Sequence, residues 1–134
     1  NNNKMFKKKL TSSLNLTPAD YLLFRACKTG DVQLTQQALA QSARPNARGP
    51  EKETPLCVAS FHGHPQICRI LICCGAIINV SDKFRGTPLH LAAFNGHTET
   101  VLTLLAMKAN PRAKNQRNQY PYEVASNDTI ATIL

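Results

Sequence analysis

The stretch "TPLHLAAFNGH", residues 87–97, reads as a short capped helix that ends in a turn. Thr87 offers an N-cap oxygen to a free helix amide. Pro88 stands at the first helical position, where no amide hydrogen is needed. Leu89, Ala92 and Ala93 supply an apolar face, and the small alanines allow a neighbouring helix to come close. Gly96 tolerates the positive φ that turns the chain. Phe94 has no evident duty in such a unit.

Sliding the sequence against itself by 33 residues explains the stretch. "TPLCVASFHGH" at 54–64 lies over 87–97, and seven of the eleven positions are identical. Downstream, Leu104-Leu105 fall on Leu71-Ile72, and Ala109 falls on Ala76. Shifted backwards, the register reaches "YLLFRACKTGD" at 21–31, where Leu23, Ala26 and Gly30 keep the pattern. Shifted forwards, it reaches "YPYEVASND" at 120–128, where Pro121, Val124 and Ala125 keep it. A period held without drift is the signature of a stacked repeat. Each unit predicts two helices, the second carrying apolar residues at helical spacing: Ile67, Leu71 and Ile72, or Val101, Leu104 and Leu105. One unit cannot bury its apolar faces alone, so the core must form between units.

These residues resemble the ankyrin repeat: "GTPLHLAAFNGH" followed by "VLTLL" and "KAN", at that family's period. The resemblance implies an all-α, ankyrin-repeat solenoid of stacked helix-turn-helix units with β-hairpin-like linker tips. The expected organisation is a basic, disordered tail at 1–16 and a repeat domain at 17–134. Its repeats fall at about 17–48, 49–81, 82–114 and 115–134, the terminal ones cap-like. The resemblance also implies that His90 bonds the linker backbone, and that His64 and His97 tie neighbouring repeats. Cys57 replaces the first of these histidines in the second repeat. Lys52 occupies the glycine place of the linker in "GPEKETP", so the tip at 49–53 is expected to bend differently. Asn118 holds that place in "NQRNQYP", and asparagine accepts the left-handed conformation. Thr17, Pro18 and Asp20 predict a capped first helix about one turn longer than its counterparts. Ile133-Leu134 match Leu104-Leu105 at a spacing of 29, so the last repeat is short near its helix-helix turn.

The chain has 134 residues and a net charge of +8, of which +3 lies in residues 1–20 and +5 in the remainder. That excess favours an acidic protein segment, a phosphorylated peptide, an anionic lipid surface or nucleic acid. The sequence has no long apolar run. Five cysteines without a CxxC pair suit a reduced, intracellular chain, cytoplasmic or nuclear, with most thiols buried. The opening on Asn1 and the apolar "TIATIL" ending suggest a piece of a longer protein.

Chemistry finds little support. No phosphate-binding glycine loop, GxSxG elbow or carboxylate pair is present, so no enzyme activity and no cofactor is expected. His62, His64 and Cys68, with Cys73 and Cys74 nearby, match no zinc spacing, so no metal is expected. Lys7-Lys8-Lys9 reads as a solvated tail or a localisation patch.

A surface remains. The resemblance implies a concave face built from linker tips and the outer side of each first helix. On it stand Phe61 with His62, and Phe94 with Asn95; the aligned pair in the first repeat is Lys28 with Thr29. Lys83, Phe84, Arg85, Lys114 and Arg117 come from the tips, with Lys52 and Arg48 beside them. Glu51, Glu53 and Asp82 offset part of that charge. Phe61 and Phe94 are either exposed partner contacts or core packing. The expected function is a non-enzymatic protein-protein interaction domain, scaffold or adaptor, monomeric. Its partner would be an acidic or phosphorylated segment with an apolar anchor. The alternatives are a regulatory appendage of a larger enzyme or lipid-handling protein, or binding to an anionic membrane or RNA.

Overall fold

Eight helices form among the described residues, 15–83 and 86–134, of the computed structural model. They are α1 (Pro18–Thr29), α2 (Val32–Ala40), α3 (Pro55–Phe61), α4 (Pro65–Cys73), α5 (Pro88–Phe94), α6 (Thr98–Ala106), α7 (Pro121–Val124) and α8 (Asp128–Ile133). The expected tail lies largely outside the described residues, with Lys7-Lys8-Lys9; so do Phe84 and Arg85.

The helices stack in two layers. The odd-numbered helices pack in series, α1 on α3, α3 on α5 and α5 on α7; α2, α4, α6 and α8 do the same behind them. Between the layers lies one core, including Leu23, Cys27, Leu56, Ala59, Ile67, Leu71, Leu89, Ala92, Val101, Leu104 and Ile130. These are the positions the repeat marks as apolar, and each helix pair completes its burial on the next.

Caps set the first helices. The Thr17 hydroxyl accepts from the Asp20 amide, and the Asp20 carboxylate accepts from the Thr17 amide at 2.9 Å. Thr54 and Thr87 accept from Cys57 and His90 in the same way. α1 has twelve residues against seven in α3 and α5, and α7 has only four. Gly63 makes the turn into α4 at φ 74°, and a Cβ there would lie 2.4 Å from His97 Nδ1. Glycine is required at that turn for its conformation and for the imidazole laid across it.

The tips close alike. The amides of Gly49, Asp82 and Asn115 donate to the carbonyls of Glu53, Gly86 and Gln119 at 2.8, 3.0 and 3.0 Å. The different bend expected at 49–53 does not occur. Lys52 adopts the left-handed φ of 60°, as Asn118 does at 61°. The Glu53 carboxylate accepts from the Glu51 amide at 2.8 Å, doing at this tip what the Asn115 side chain does for the Arg117 amide. No strand forms among the described residues; the closing bonds within the tips are hairpin-like, and the Lys83 amide donates to the Glu51 carbonyl of the neighbouring tip at 2.9 Å.

Three cysteines, Cys27, Cys57 and Cys68, are buried, and Cys73 and Cys74 at the end of α4 are exposed. One ion pair holds the first repeat: Arg44 Nη2 lies 2.7 Å from the Asp20 carboxylate, which is wholly buried.

Candidate partner-binding groove

Histidines fix how one repeat sits on the next. His90 Nε2 donates to the Gln119 carbonyl at 2.8 Å, while its Nδ1 accepts from the Thr87 amide and hydroxyl. Burial lowers the His90 pKa, against a smaller opposing effect of the Gln119 bond and Asp82, so the ring is neutral at neutral pH. His64 Nε2 donates to the Lys28 carbonyl at 3.3 Å, and His97 Nε2 to the Phe61 carbonyl at 2.9 Å. Cys57, in the place of His90, accepts from the Thr54 hydroxyl at 3.4 Å and packs with Val80 and Leu91. At that tip Arg48 Nη1 donates instead to the carbonyls of Lys52 and Ser81, at 2.7 and 3.0 Å.

This frame leaves a pocket of about 450 Å³ between two tips and two first helices. Val58, Phe61 and Cys57 of α3 and Leu91 of α5 form its apolar part; Glu51, Glu53 and Asp82 of the tips and His62 complete it. The volume falls within the usual range of about 300–1,000 Å³ for small-ligand pockets.

The two phenylalanines differ. Phe61 is half-buried, packed against Cys57, Val80 and Leu91. Phe94 is 55% exposed. The repeat explains this: Ala113 and Val124 hold the places of Val80 and Leu91 one period later, and α7 is only one turn long. Less apolar bulk is available to cover Phe94.

The other candidates divide. The His62 ring meets Phe61 edge-on at 5.1 Å, and burial, then the charges of His64, Lys28 and His97, lower its pKa. Asn95 stands at the end of α5 and is half-buried. Its side-chain amide donates to the Phe61 carbonyl at 2.7 Å, so it staples α5 to α3. Lys114 Nζ sits 5.0 Å over the Tyr120 ring, which stacks on Tyr122. Lys83 and Arg117 are exposed on their tips.

Of the pocket walls, Phe61 and His62 were candidates from sequence and Glu51, Glu53 and Asp82 were noted only as offsetting charges, while Val58 and Leu91 were not singled out. Three carboxylates, those expected to offset part of the tip charge, line the pocket, and among its described lining residues there is no lysine or arginine. One signal pointed to the apolar wall: Val58, Leu91 and Val124 recur at the period, on the tip side of each first helix.

A family model described as ankyrin repeats (three copies) matches residues 23–115. A comparison with curated proteins returned no match. Ankyrin repeats are generally protein-protein interaction modules, and the family is typically non-enzymatic. No helix among the described residues is long and apolar enough to cross a membrane. The matched span, the period, the capped helix pairs and the histidine staples lead to one conclusion: the chain belongs to the ankyrin repeat family.

Proposed function

We propose that this domain is a non-catalytic docking module that holds a segment of a partner protein against the tips and first helices. The observation that carries the reading is the pair of aromatic environments one repeat apart. Phe94 presents more than half its surface to solvent, while Phe61 walls a pocket able to receive a side chain. An exposed aromatic and a preformed pocket on neighbouring first helices suit an interface, whose centres favour aromatic anchors and pockets. Lys83 and Arg117, exposed on their tips, and Lys114 are not among the described residues that line the pocket. Charges there steer and select a partner more than they hold it, and acidic residues flanking the docked segment suit them.

A photo-crosslinking residue distinguishes the faces. Placed at Phe94, it captures the partner from an extract of the native source. Placed at Leu102, which is 49% exposed on α6 in the other layer, it does not. Capture from position 102 and not from 94 overturns the reading.

A further inference from the structure

We infer that the docked segment lies in one direction along the stack, with its acidic residues over the third tip and an apolar side chain at Phe94. The inference rests on the docking reading above and adds where along the stack the segment's charge sits. It starts from the three linkers aligned at the period. Residues 46–53 are neutral, with Arg48 and Lys52 against Glu51 and Glu53. Residues 79–86 carry +1, with Lys83 and Arg85 against Asp82. Residues 112–119 carry +3, from Arg112, Lys114 and Arg117 with no carboxylate. Positive charge grows from the first tip to the third, so an acidic run finds its match at one end of the stack.

The third tip presents that charge on a fixed frame. The Asn115 side chain accepts from the amides of Arg117 and Gln119 at 3.0 and 2.9 Å. Arg112, Lys114 and Arg117 are exposed. The eight Asp and Glu residues of the chain all lie among the described residues, and none forms an ion pair with these three cations; the ion pair there joins Arg44 to Asp20. Glu123, the nearest carboxylate in sequence, accepts from the Tyr120 amide at 2.7 Å and caps α7.

Phe94, 55% exposed, supplies the apolar contact. It stands to the third tip, at the period, as Phe61 stands to the second, and residues of that pair line one pocket. The seven residues of α5 are about 10 Å long. Three or four extended residues therefore reach from an anchor at Phe94 to the tip.

An acidic peptide suits this surface better than a single-stranded nucleic acid. Strand binding without sequence preference uses successive aromatic platforms for the bases. Here Tyr120 stacks on Tyr122 with ring centroids 5.9 Å apart, and Lys114 Nζ lies 5.0 Å from the Tyr120 centroid. The two tyrosines are stacked on each other and do not stand as separate platforms.

The test is an amide NMR titration of the isotope-labelled chain in about 0.15 M salt, where screening confines charge effects to about 8 Å. The probes are acetyl-Leu-Gly-Gly-Glu-Glu-Glu-amide, its counterpart with three glutamines, and a pentathymidylate. The glutamate peptide should give saturable shifts at Phe94, Lys114 and Arg117, and bind at least five-fold more tightly than the glutamine peptide. A nitroxide on its acidic end should broaden the amides of Asn115, Arg117 and Asn118 more than those of Glu51 and Lys52. Lys114→Gln/Arg117→Gln should lose at least five-fold for the glutamate peptide, while Arg69→Gln, exposed on α4 in the other layer, should change it less than two-fold. Glutamate and glutamine peptides of equal affinity overturn the acidic reading, and broadening centred on the first tip overturns the direction. An equal loss in Arg69→Gln makes the effect one of net charge and overturns the site. Pentathymidylate binding more tightly at the same amides overturns the peptide in favour of nucleic acid. No saturable shift with any probe overturns the third tip as a site, and the crosslinking result at Phe94 then decides docking separately.

Discussion

The staple between the second and third repeats should behave non-additively. Phe61 ends α3, and the last carbonyls of a helix have no donor within it. Its carbonyl accepts from Asn95 Nδ2 at 2.7 Å and from His97 Nε2 at 2.9 Å. Asn95→Ala removes one donor and leaves the other, which costs about 1 kcal/mol, the net worth of a neutral hydrogen bond. His97→Ala costs about the same. The double variant strips both, and a half-buried carbonyl then bears a further desolvation cost of about 1–2 kcal/mol. The total is about 3–4 kcal/mol, with a coupling of about 1–2 kcal/mol beyond the sum. At about 4 °C per kcal/mol for a domain of this size, the double variant melts roughly 12–16 °C lower. Urea unfolding of the four proteins gives the cycle. A coupling within about 0.5 kcal/mol of zero is what independent sites show, and it would refute the shared acceptor.

Asp20→Ala should cost about 2–3 kcal/mol in urea unfolding. The buried carboxylate serves the amides of Thr17 and Arg44 at 2.9 and 2.8 Å, and the Arg44 partner is 47% exposed, which discounts the ion pair. Burial alone would raise the Asp20 pKa, but the bonds from Arg44 and Thr17 outweigh it and the net direction is down. Its contribution is therefore complete above the unfolded value of about 3.9 and is lost as pH falls through the lower folded value. The stability gap between wild type and Asp20→Asn should close in that acid range. For His90 the folded pKa lies below about 6.5, so the unfolded chain binds more protons between those values. Stability should fall as pH drops below about 6.5, and His90→Gln should flatten that part of the wild-type profile. Cys73 and Cys74 should react with a thiol reagent in the native state. Cys27, Cys57 and Cys68 should react only on unfolding, since burial shields them and raises their thiol pKa values, Cys68 to about 11.

The repeat made the architecture legible because each part of it answers a local demand. Thr87-Pro88 is a helix start wherever it stands, and Gly63 is needed where φ is positive and His97 lies close. The same logic reached the short last repeat, where α7 has a single turn. The groove was less legible because its character depends on residues far apart in sequence. Phe61 and Phe94 occupy the same place in the unit. What separates them is Val80 and Leu91 over one, and Ala113 and Val124 at the matching places of the other. Asn95 is a polar residue at a helix end, and only its distance from the Phe61 carbonyl makes it a staple. Net charge also conceals sign. The chain sums to +8, yet two tips bring Glu51, Glu53 and Asp82 to one pocket, while Arg48 is spent on two backbone carbonyls. Lys52 shows the reverse case, a residue that looked wrong for its turn and adopts it. The carbonyl of Glu53 closes that turn and its carboxylate braces it.

The most direct test of the docking claim is the affinity of the crosslinked partner, once purified, for three folded proteins: wild type, Phe94→Ala and Leu102→Ala. Both side chains are about half exposed, and they lie in different helix layers. Titration calorimetry should show Phe94→Ala binding roughly 30-fold more weakly, the loss of an anchor worth about 2 kcal/mol, with Leu102→Ala unchanged. Unchanged affinity for Phe94→Ala, with a loss at Leu102→Ala, would contradict the account and place the interface on the other layer.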